Sequence, residues 1–165
     1  MIDELFPLID KLGQTIGCVS RSECHNGSKL LHPVIHLHIF NAKGKLLLQK
    51  RSMDKDIQPG QWDTSVGGHI EYGEKIEEAL RREAYEELNI KNFTPHFIQS
   101  YLFESDIERE KVYSYKTIYN LPIFFNSKEI DDIRFWDLKE INQNIGKNLF
   151  TPNFEYEFYS HLFTK

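Results

Sequence analysis

The 165-residue sequence predicts an α/β fold, in which helices flank a mixed β-sheet in a sandwich. Several runs rich in β-forming residues indicate the strands. The segment 74–88 indicates a helix, because it contains many helix formers and no internal Gly or Pro. No fixed repeat and no Pro/Gly/Ser-rich linker interrupts the chain. We therefore expect residues 1–165 to form a single domain.

The strands are predicted from β-forming runs bounded by turn residues, at 15–21, 33–40, 45–49, 97–103, 112–119 and 132–136. The runs 33–40 and 45–49 flank the turn at 41–44 and therefore predict a hairpin. Before them, residues 1–31 predict a lead-in of mixed helical and strand character, whose amphipathic opening ends near Gly13.

The helices are predicted from periodicity and capping signals, at 74–88, 137–143 and about 153–163. Asp137 stands where a carboxylate can accept from the first free N–H groups of the short helix. Phe154, Phe158 and Leu162 are spaced i, i+4, i+8, which is typical of an amphipathic helix at the C-terminal end.

Composition excludes several classes of function. The chain has 20 Lys+Arg against 25 Asp+Glu, a net charge of −5, whereas wrapping nucleic acid requires many basic contacts to phosphate. No apolar run approaches the roughly 20 residues of a membrane span, and the first residues lack a signal-peptide pattern. Cys18 and Cys24 form neither a CxxC motif nor a disulfide framework. We expect a cytoplasmic protein. Its oligomeric state is not predicted, and a homodimer is one possibility.

The helix at 74–88 carries carboxylates on its apolar face. That face is defined by residues at i, i+3, i+4, i+8 spacing, namely Ile76, Ala79, Leu80 and Ala84. Glu83 and Glu87 fall within it one turn apart, and Glu86 lies at its edge. Burying carboxylates unpaired costs several kcal/mol, and Arg82 is expected to reach one of them at most. A divalent cation with oxygen ligands, Mg²⁺ or Mn²⁺, would compensate their charge.

The pair Gly67–Gly68 precedes this helix by a short segment. Paired glycines let the backbone turn tightly or approach a ligand closely. A tight turn is the commoner reason for such a pair. Because these glycines stand beside the carboxylate helix, the backbone carbonyl of Gly67 is also a candidate metal ligand.

The spacing of these residues resembles the Nudix box, Gx5Ex7REUxEExGU, in which U is aliphatic. Gly68, Glu74 and the run from Arg82 to Ile90 occupy its positions, with Asn89 where the family usually has glycine. Asn is a common substitute for Gly in a left-handed helix cap. The resemblance implies an α/β/α sandwich. It also implies Mg²⁺- or Mn²⁺-dependent hydrolysis of a small-molecule diphosphate, such as a nucleoside diphosphate linked to another moiety.

Carried over by position, the resemblance implies a role for each residue of the motif. The implied metal ligands are Glu83, Glu86, Glu87 and the carbonyl of Gly67. Arg82, counted among the catalytic residues, would join Glu74 in a buried contact that holds the loop and the helix together, and Gly68 is structural. Within the box we favour Glu86 as general base. Many Nudix proteins place a further glutamate downstream.

That downstream glutamate is predicted in the segment 108–110, which precedes a strand. Glu110 is the first choice and Glu108 the second. A charged loop before a strand is an equally good interpretation of this segment.

A second resemblance is carried by the run Leu46–Ser52, by Lys55, by Pro59–Asp63 and by Gly68–His69. This front segment is similar to a branch of the superfamily that includes isopentenyl diphosphate isomerase, a metal enzyme that moves a double bond. The histidine ligands of that branch would fall near His25, His32 and His69, and its diphosphate contacts would be Arg51 and Lys55. Two departures oppose isomerase activity. Gly67 stands where the isomerase has a catalytic cysteine, and this box keeps its full set of carboxylates.

A pair of histidines and a set of aromatic residues each have both a functional and a structural interpretation. His36 and His38 alternate on one strand face and are interpreted as packed or solvent-facing residues rather than ligands. Four aromatic residues could stack on a base, although core packing is commoner: Tyr101, Phe103, Tyr113 and Tyr115. A catalytically silent binding module of the same fold would have lost box glutamates, and none is missing. The preferred prediction is a Nudix hydrolase.

Overall fold

The computed structural model describes residues 2–162, which form nine strands and four α-helices. The strands are β1 Leu5–Ile9, β2 Thr15–Ser20, β3 Leu31–Phe40, β4 Leu46–Arg51, β5 Trp62–Asp63, β6 Val66–His69, β7 His96–Glu104, β8 Arg109–Ile118 and β9 Ile130–Trp136. The helices are α1 Arg21–Cys24, α2 Ile76–Leu88, α3 Leu138–Asn144 and α4 Pro152–Glu157, with a π-helical turn at Phe158–Leu162. The predicted α/β fold is confirmed.

The main sheet has the strand order β5-β4-β3-β8-β7, and β6 and β9 add to β3 and β4. Strands β3 and β8 are parallel, in register from Leu31 opposite Arg109 to Phe40 opposite Ile118. The other strand pairs in the described residues are antiparallel. The sheet is therefore mixed, as predicted.

The two sides of this sheet can be followed along strand β3, because its alternate side chains point to opposite sides. Its odd-numbered residues from Ile35 to Ile39 pack in a core with helix α2, and we call this side the α2 face. Its even-numbered residues, which include three histidines, point to the other side. There Phe40 packs against an aromatic cluster that contains Phe154 and Phe158, and we call this side the α4 face.

The lead-in differs in detail from the prediction. Its opening is a strand, β1, paired with β2 in a hairpin that places Phe6 opposite Val19. Gly13 adopts φ +89° in the connection, and Phe6, Val19 and Cys24 form a small separate core. Arg21 begins helix α1 instead of ending a strand, because Ser20 caps that helix.

The other boundaries lie close to those predicted. Helix α2 begins at Ile76, two residues later than predicted, and ends at Leu88. Asn89 caps it in the left-handed conformation at φ 56°. Asp137 caps α3 through the Lys139 N–H. The C-terminal helix begins at Pro152, and its predicted end at 163 lies outside the described residues, as do 1, 164 and 165. Among the described residues, no helix is long and apolar enough to cross a membrane.

Candidate active site

Helix α2 presses two carboxylates against strand β6. Glu87 is 8% exposed and accepts hydrogen bonds from Gln49 Nε2 at 3.1 Å and from the Gly67 N–H at 3.3 Å. The Glu83 carboxyl group lies directly against Gly68, where a Cβ atom would overlap it. Glycine at position 68 is therefore required for Glu83 to reach β6.

These two carboxylates are poorly solvated. Burial raises the pKa of Glu87 well above its usual range, and the nearby charge of Glu83 raises it further. Burial also raises the pKa of Glu83 to about 7, although Arg82 opposes the shift. A divalent cation would favour the ionised form of both groups, so the pair has the properties expected of metal ligands.

Arg82 donates hydrogen bonds to three carboxylates and lies 3.8 Å from a fourth, that of Glu71, so the expectation that it would reach one at most is wrong. Its Nε and Nη2 atoms donate to the two oxygens of Glu74 at 2.8 and 3.0 Å. Its Nη1 atom donates to Glu83 at 2.7 Å and to Glu86 at 3.3 Å. Nη2 also donates to the carbonyl of His69 at 2.9 Å. A helical wheel gives the direction in which Arg82 leaves the helix, but not the reach of its side chain. The long side chain and planar guanidinium reach several neighbouring groups at once.

Glu86 differs from the other two glutamates of the box. Its side chain is 56% exposed, against 14% for Glu83, and it receives a hydrogen bond from Arg82. It therefore lies at the edge of the apolar face, as predicted. A carboxylate in this place is solvated while it remains within one helical turn of the buried pair.

A second group of candidate ligands lies on the α4 face. Four residues each place one possible metal-ligand atom within 4.8 Å of the others: His25, His32, His69 and Glu108. Glu110 Oε1 is 3.8 Å from His32 Nε2 and 3.9 Å from His69 Nε2. These two Nε2 atoms are buried and have no hydrogen-bond partner within residues 2–162. Nitrogen and oxygen donors that converge in this way suit a divalent transition metal.

Four elements position this cluster. His25 follows helix α1, β3 carries His32 near its start, and β6 ends at His69. The parallel register of β3 and β8 sets Glu110 opposite His32. Phe6 of β1 stacks on His69 with ring centroids 4.4 Å apart. The β1–β2 hairpin, which lies within the predicted lead-in 1–31, therefore packs against the histidines through Phe6.

The electrostatics of the cluster favour metal binding. Burial lowers the pKa of His32 and lowers that of His69 well below its usual range, so both rings are neutral near pH 7. The neutral imidazole is the form that binds metal. Burial, followed by the charge of Glu108, raises the pKa of Glu110 to about 8. Glu110 thus faces His32 and His69 on the α4 face, whereas Glu83 and Glu87 lie on the α2 face.

The two predicted diphosphate contacts, Arg51 and Lys55, lie at the C-terminal end of strand β4 and in the loop that follows it. Arg51 ends this strand, where its Nη1 atom is 3.3 Å from Asp63 and its Nε atom donates to the carbonyl of Ile57. Lys55 lies in the following loop, with its backbone N–H bonded to the carbonyl of Ser52. The structure brings Arg51 into contact with Asp63, and Lys55 lies four residues further along, in the loop between β4 and β5.

The sequence interpretation missed Glu157 of helix α4. This buried carboxylate accepts hydrogen bonds from His38 Nε2 at 2.7 Å, His36 Nδ1 at 3.2 Å and the hydroxyl of Ser114. Burial alone would raise the pKa of Glu157, but the two histidines hold it well below its usual range. The signal available in the sequence was a glutamate beside Phe158 on the apolar face of the last helix, together with alternating histidines on a strand.

The four aromatic residues considered as a stacking platform divide between the two faces. Tyr113 and Tyr115 pack against the core on the α2 face. Tyr101 donates a hydrogen bond to Asn153 at 2.6 Å and stacks at a tilt on Tyr156. Phe103 is two residues from Tyr101 on β7 and so shares its face. The four residues therefore do not form one surface.

Known proteins resemble this chain over most of its length. An uncharacterized Nudix hydrolase of Listeria innocua is 34% identical over 128 residues, which cover 75% of this chain and 74% of that protein. The isopentenyl-diphosphate Delta-isomerase of Escherichia coli O6:H1 is 31% identical, over 84% of this chain and 79% of that protein. The chain therefore resembles both enzymes at similar identity.

A solved structure supports the same fold. The structure of DR0079 from Deinococcus radiodurans covers 94% of this chain and 98% of its own, with a TM-score of 0.81 at 23% identity. The family model described as the NUDIX domain matches residues 30–161, which include both the box and the second ligand cluster apart from His25. The chain is a member of the NUDIX domain family.

Proposed function

We propose that this protein is a metal-dependent hydrolase that cleaves a diphosphate linkage in a nucleoside-diphosphate-X compound or a related substrate. The observation that carries the proposal is the intact box on helix α2. Glu87 is buried and Glu83 is half-buried against β6, Glu86 is solvated beside them, and Arg82 braces the helix against Glu74. The similarity to Nudix hydrolases of two Listeria species supports this choice.

Each residue of the site would have a distinct task. Glu83 and Glu87 would supply oxygen ligands, together with the carbonyl of Gly67. Divalent ions bound there, with Mg²⁺ preferred and Mn²⁺ as the alternative, would neutralise the diphosphate and lower the pKa of a water molecule. Glu86 would accept the proton of the attacking water, a transfer worth roughly 10²–10⁴-fold in rate.

The remaining predicted residues would bind the anionic substrate. Arg51 ends β4 and Lys55 lies in the loop that follows it, and their positive charges suit a diphosphate. Attack by water at phosphorus would break one P–O bond of the linkage, and the products would be two phosphate-bearing fragments. Histidines of the second cluster, with Glu108 and Glu110, would hold a further divalent ion.

The second candidate function is an isomerase-like metal enzyme. The observation in its favour is the convergence of His25, His32 and His69 with Glu108, together with relatives that are named isopentenyl-diphosphate Delta-isomerases. Against it, position 67 is glycine, so the protein lacks a thiol there. A catalytically silent binding module is the third candidate, and the intact box argues against it.

One panel of substrates separates these functions. The purified protein would be incubated with Mg²⁺ or Mn²⁺ and nucleotide sugars, ADP-ribose, dinucleoside polyphosphates, dNTPs or isopentenyl diphosphate. Hydrolysis products from at least one compound, measured by chromatography, are the expected result. Isomerisation without hydrolysis would replace the proposal with the isomerase-like function. An absence of turnover on every compound, combined with measurable binding, would favour the binding module.

A further inference from the structure

Gln49 is a polar residue of strand β4 that points into the α2 face of the sheet. Leu47 packs in the core of that face, and Gln49, two residues further along the strand, points to the same side. Gln49 is opposite Asp63 of β5 on one side and Ile133 of β9 on the other. It is 9% exposed, and a buried amide destabilises the fold unless it is hydrogen-bonded. The amide of Gln49 therefore requires partners.

The amide nitrogen of Gln49 joins two acceptors. Nε2 donates to the backbone carbonyl of Ser65 and to Oε2 of Glu87, each at 3.1 Å. A carbonyl oxygen can only accept a hydrogen bond, so the amide nitrogen, and not the amide oxygen, must face Ser65. The network thus fixes the orientation of the amide and directs its second N–H at Glu87.

Ser65 is itself held by the sheet. It is fully buried, and its hydroxyl accepts from the Ile39 N–H at 2.9 Å and donates to the carbonyl of Leu47. The support for the Gln49 amide therefore comes from β3, β4 and the segment before β6. Glu87, which projects from helix α2, is bound by a group whose position the sheet determines.

Gln49 and Gly67 bind the same oxygen atom of Glu87. The Gly67 N–H donates to Oε2 at 3.3 Å, so both donors end on this atom. Within residues 2–162, the hydrogen bonds of the Glu87 carboxylate do not include Oε1. Two donors on one oxygen restrict rotation of the carboxylate and leave Oε1 free for a cation.

We propose that Gln49 is a positioning residue for the metal site on α2, and that it orients Glu87 so that Oε1 faces the cation. The inference rests on the proposed function, since it assigns Glu87 to that metal site. Groups that hydrogen-bond a metal ligand hold it in the orientation that binds the metal. Gln49 acts only through Glu87, because its Nε2 atom is already bound to Ser65 and Glu87.

The test replaces Gln49 with methionine, which is unbranched like glutamine but has no N–H donor. The probe is Mn²⁺ alone, titrated at one pH and followed by the electron paramagnetic resonance signal of the free ion. The histidine cluster can also bind the ion, so the binding component that Glu87→Gln removes is taken as the site on α2. We expect Gln49→Met to weaken this component roughly 10- to 100-fold, as removal of a group that orients a metal ligand predicts.

Gln61→Met is the matched control. The Gln61 Nε2 atom also makes two hydrogen bonds, but to the carbonyl and the Oδ1 atom of Asn148. We expect the Mn²⁺ affinity of this variant to equal that of wild type. Urea unfolding would establish that each variant is folded. If Gln49→Met did not fold, Gln49→Asn, which keeps an amide but is shorter by one methylene group, would take its place.

The Mn²⁺ measurement separates this inference from the proposed hydrolase activity. Weaker binding in the Gln49 variant alone supports the inference, even if no compound of the substrate panel is hydrolysed. Equal affinities in wild type and the Gln49 variant would overturn it, even if hydrolysis is observed. Equal weakening in the Gln49 and Gln61 variants would also overturn it. A loss of stability without a loss of affinity would overturn it as well, because Gln49 would then only stabilise the sheet.

Discussion

The three glutamates of the box have the same side chain but different environments. Glu83 and Glu87 lie in the apolar face of α2, where burial raises the pKa of each, whereas Glu86 is solvated. Two poorly solvated carboxylates are suited to hold a cation continuously. A solvated carboxylate can exchange protons with water, and this difference favours Glu86 as the base.

The residue-scale prediction concerns this base. Glu86→Gln is expected to lower kcat by roughly 10²–10⁴-fold, because the amide cannot accept a proton from water. Its melting temperature should stay near that of wild type, since the side chain is exposed. Steady-state kinetics and thermal unfolding measure the two effects.

The matched control for this variant is Glu77→Gln on the same helix. Glu77 is exposed and forms an i,i+4 pair with Arg81, so its loss should leave kcat unchanged. If Glu86→Gln retained wild-type kcat, Glu86 would not be the base. Glu110 and Glu108 would then be tested in its place.

The sequence predicted the positions of the box glutamates well, because helical phase alone decides which of them point inward. It did not predict the reach of Arg82, since the wheel carries no information about side-chain length or the loop opposite. Glu157 was also missed. Its partners are more than 40 positions away along the chain, so only the packed fold brings them together.

At the scale of elements, helix α2 and the loop before it are held together by Arg82. This residue binds both oxygens of Glu74 and the carbonyl of His69, so the end of β6 and the loop are tied to the helix. A fork of N–H groups is needed for these contacts, and Lys has a single ammonium group. The brace therefore depends on arginine specifically.

The element-scale prediction is that Arg82→Lys lowers both stability and metal affinity. Partial loss of a hydrogen-bonded network should cost about 1–3 kcal/mol of the free energy of unfolding. Arg21→Lys, which changes an arginine whose side chain forms an exposed pair with Glu4, should cost less than about 0.5 kcal/mol. Urea unfolding and calorimetric titration with Mg²⁺ would measure both variants, and equal effects would contradict a special role for Arg82.

The elements were predictable where one periodicity dominated. Helix α2 and the hairpin of β3 and β4 follow such patterns, whereas the opening of the chain does not. Its apolar residues fit either a helix or a strand, and contacts between Phe6 and the histidines decide for the strand. That information lies in tertiary structure, so the local sequence did not contain it.

At the scale of the molecule, the two groups of candidate ligands meet across strand β6. Glu83 lies against Gly68 from the α2 face, and His69 joins the cluster on the α4 face. The net charge of −5 is therefore partly concentrated in places where cations would bind. This distribution is consistent with an acidic protein that accepts an anionic substrate.

The whole-molecule prediction concerns pH and metal. An acid whose pKa is raised by folding stabilises the protein below its unfolded pKa, and this stability is lost as the pH rises through the folded pKa. For Glu83 this window runs from 4.5 to about 7. The metal-free melting temperature is therefore expected to fall across the window, and Mg²⁺ or Mn²⁺ should raise it again near pH 7.

Calorimetry with and without chelator tests this expectation. Glu83→Gln is the control, because a neutral amide cannot titrate and should flatten the decrease. A metal-free melting temperature that rises between pH 4.5 and 7, in the same way in wild type and in the variant, would contradict a pKa of Glu83 that folding raises to about 7.

Strand β3 carries three histidines at even-numbered positions, so all three point to the α4 face. His32 lies in the metal-candidate cluster, His36 beside Gly67, and His38 on Glu157. A slip of the strand by one residue would turn all three into the apolar core and bring Ile35 and Leu37 out of it. Insertion or deletion of one residue within β3 would consequently abolish folding and activity together, so a single pairing register fixes both.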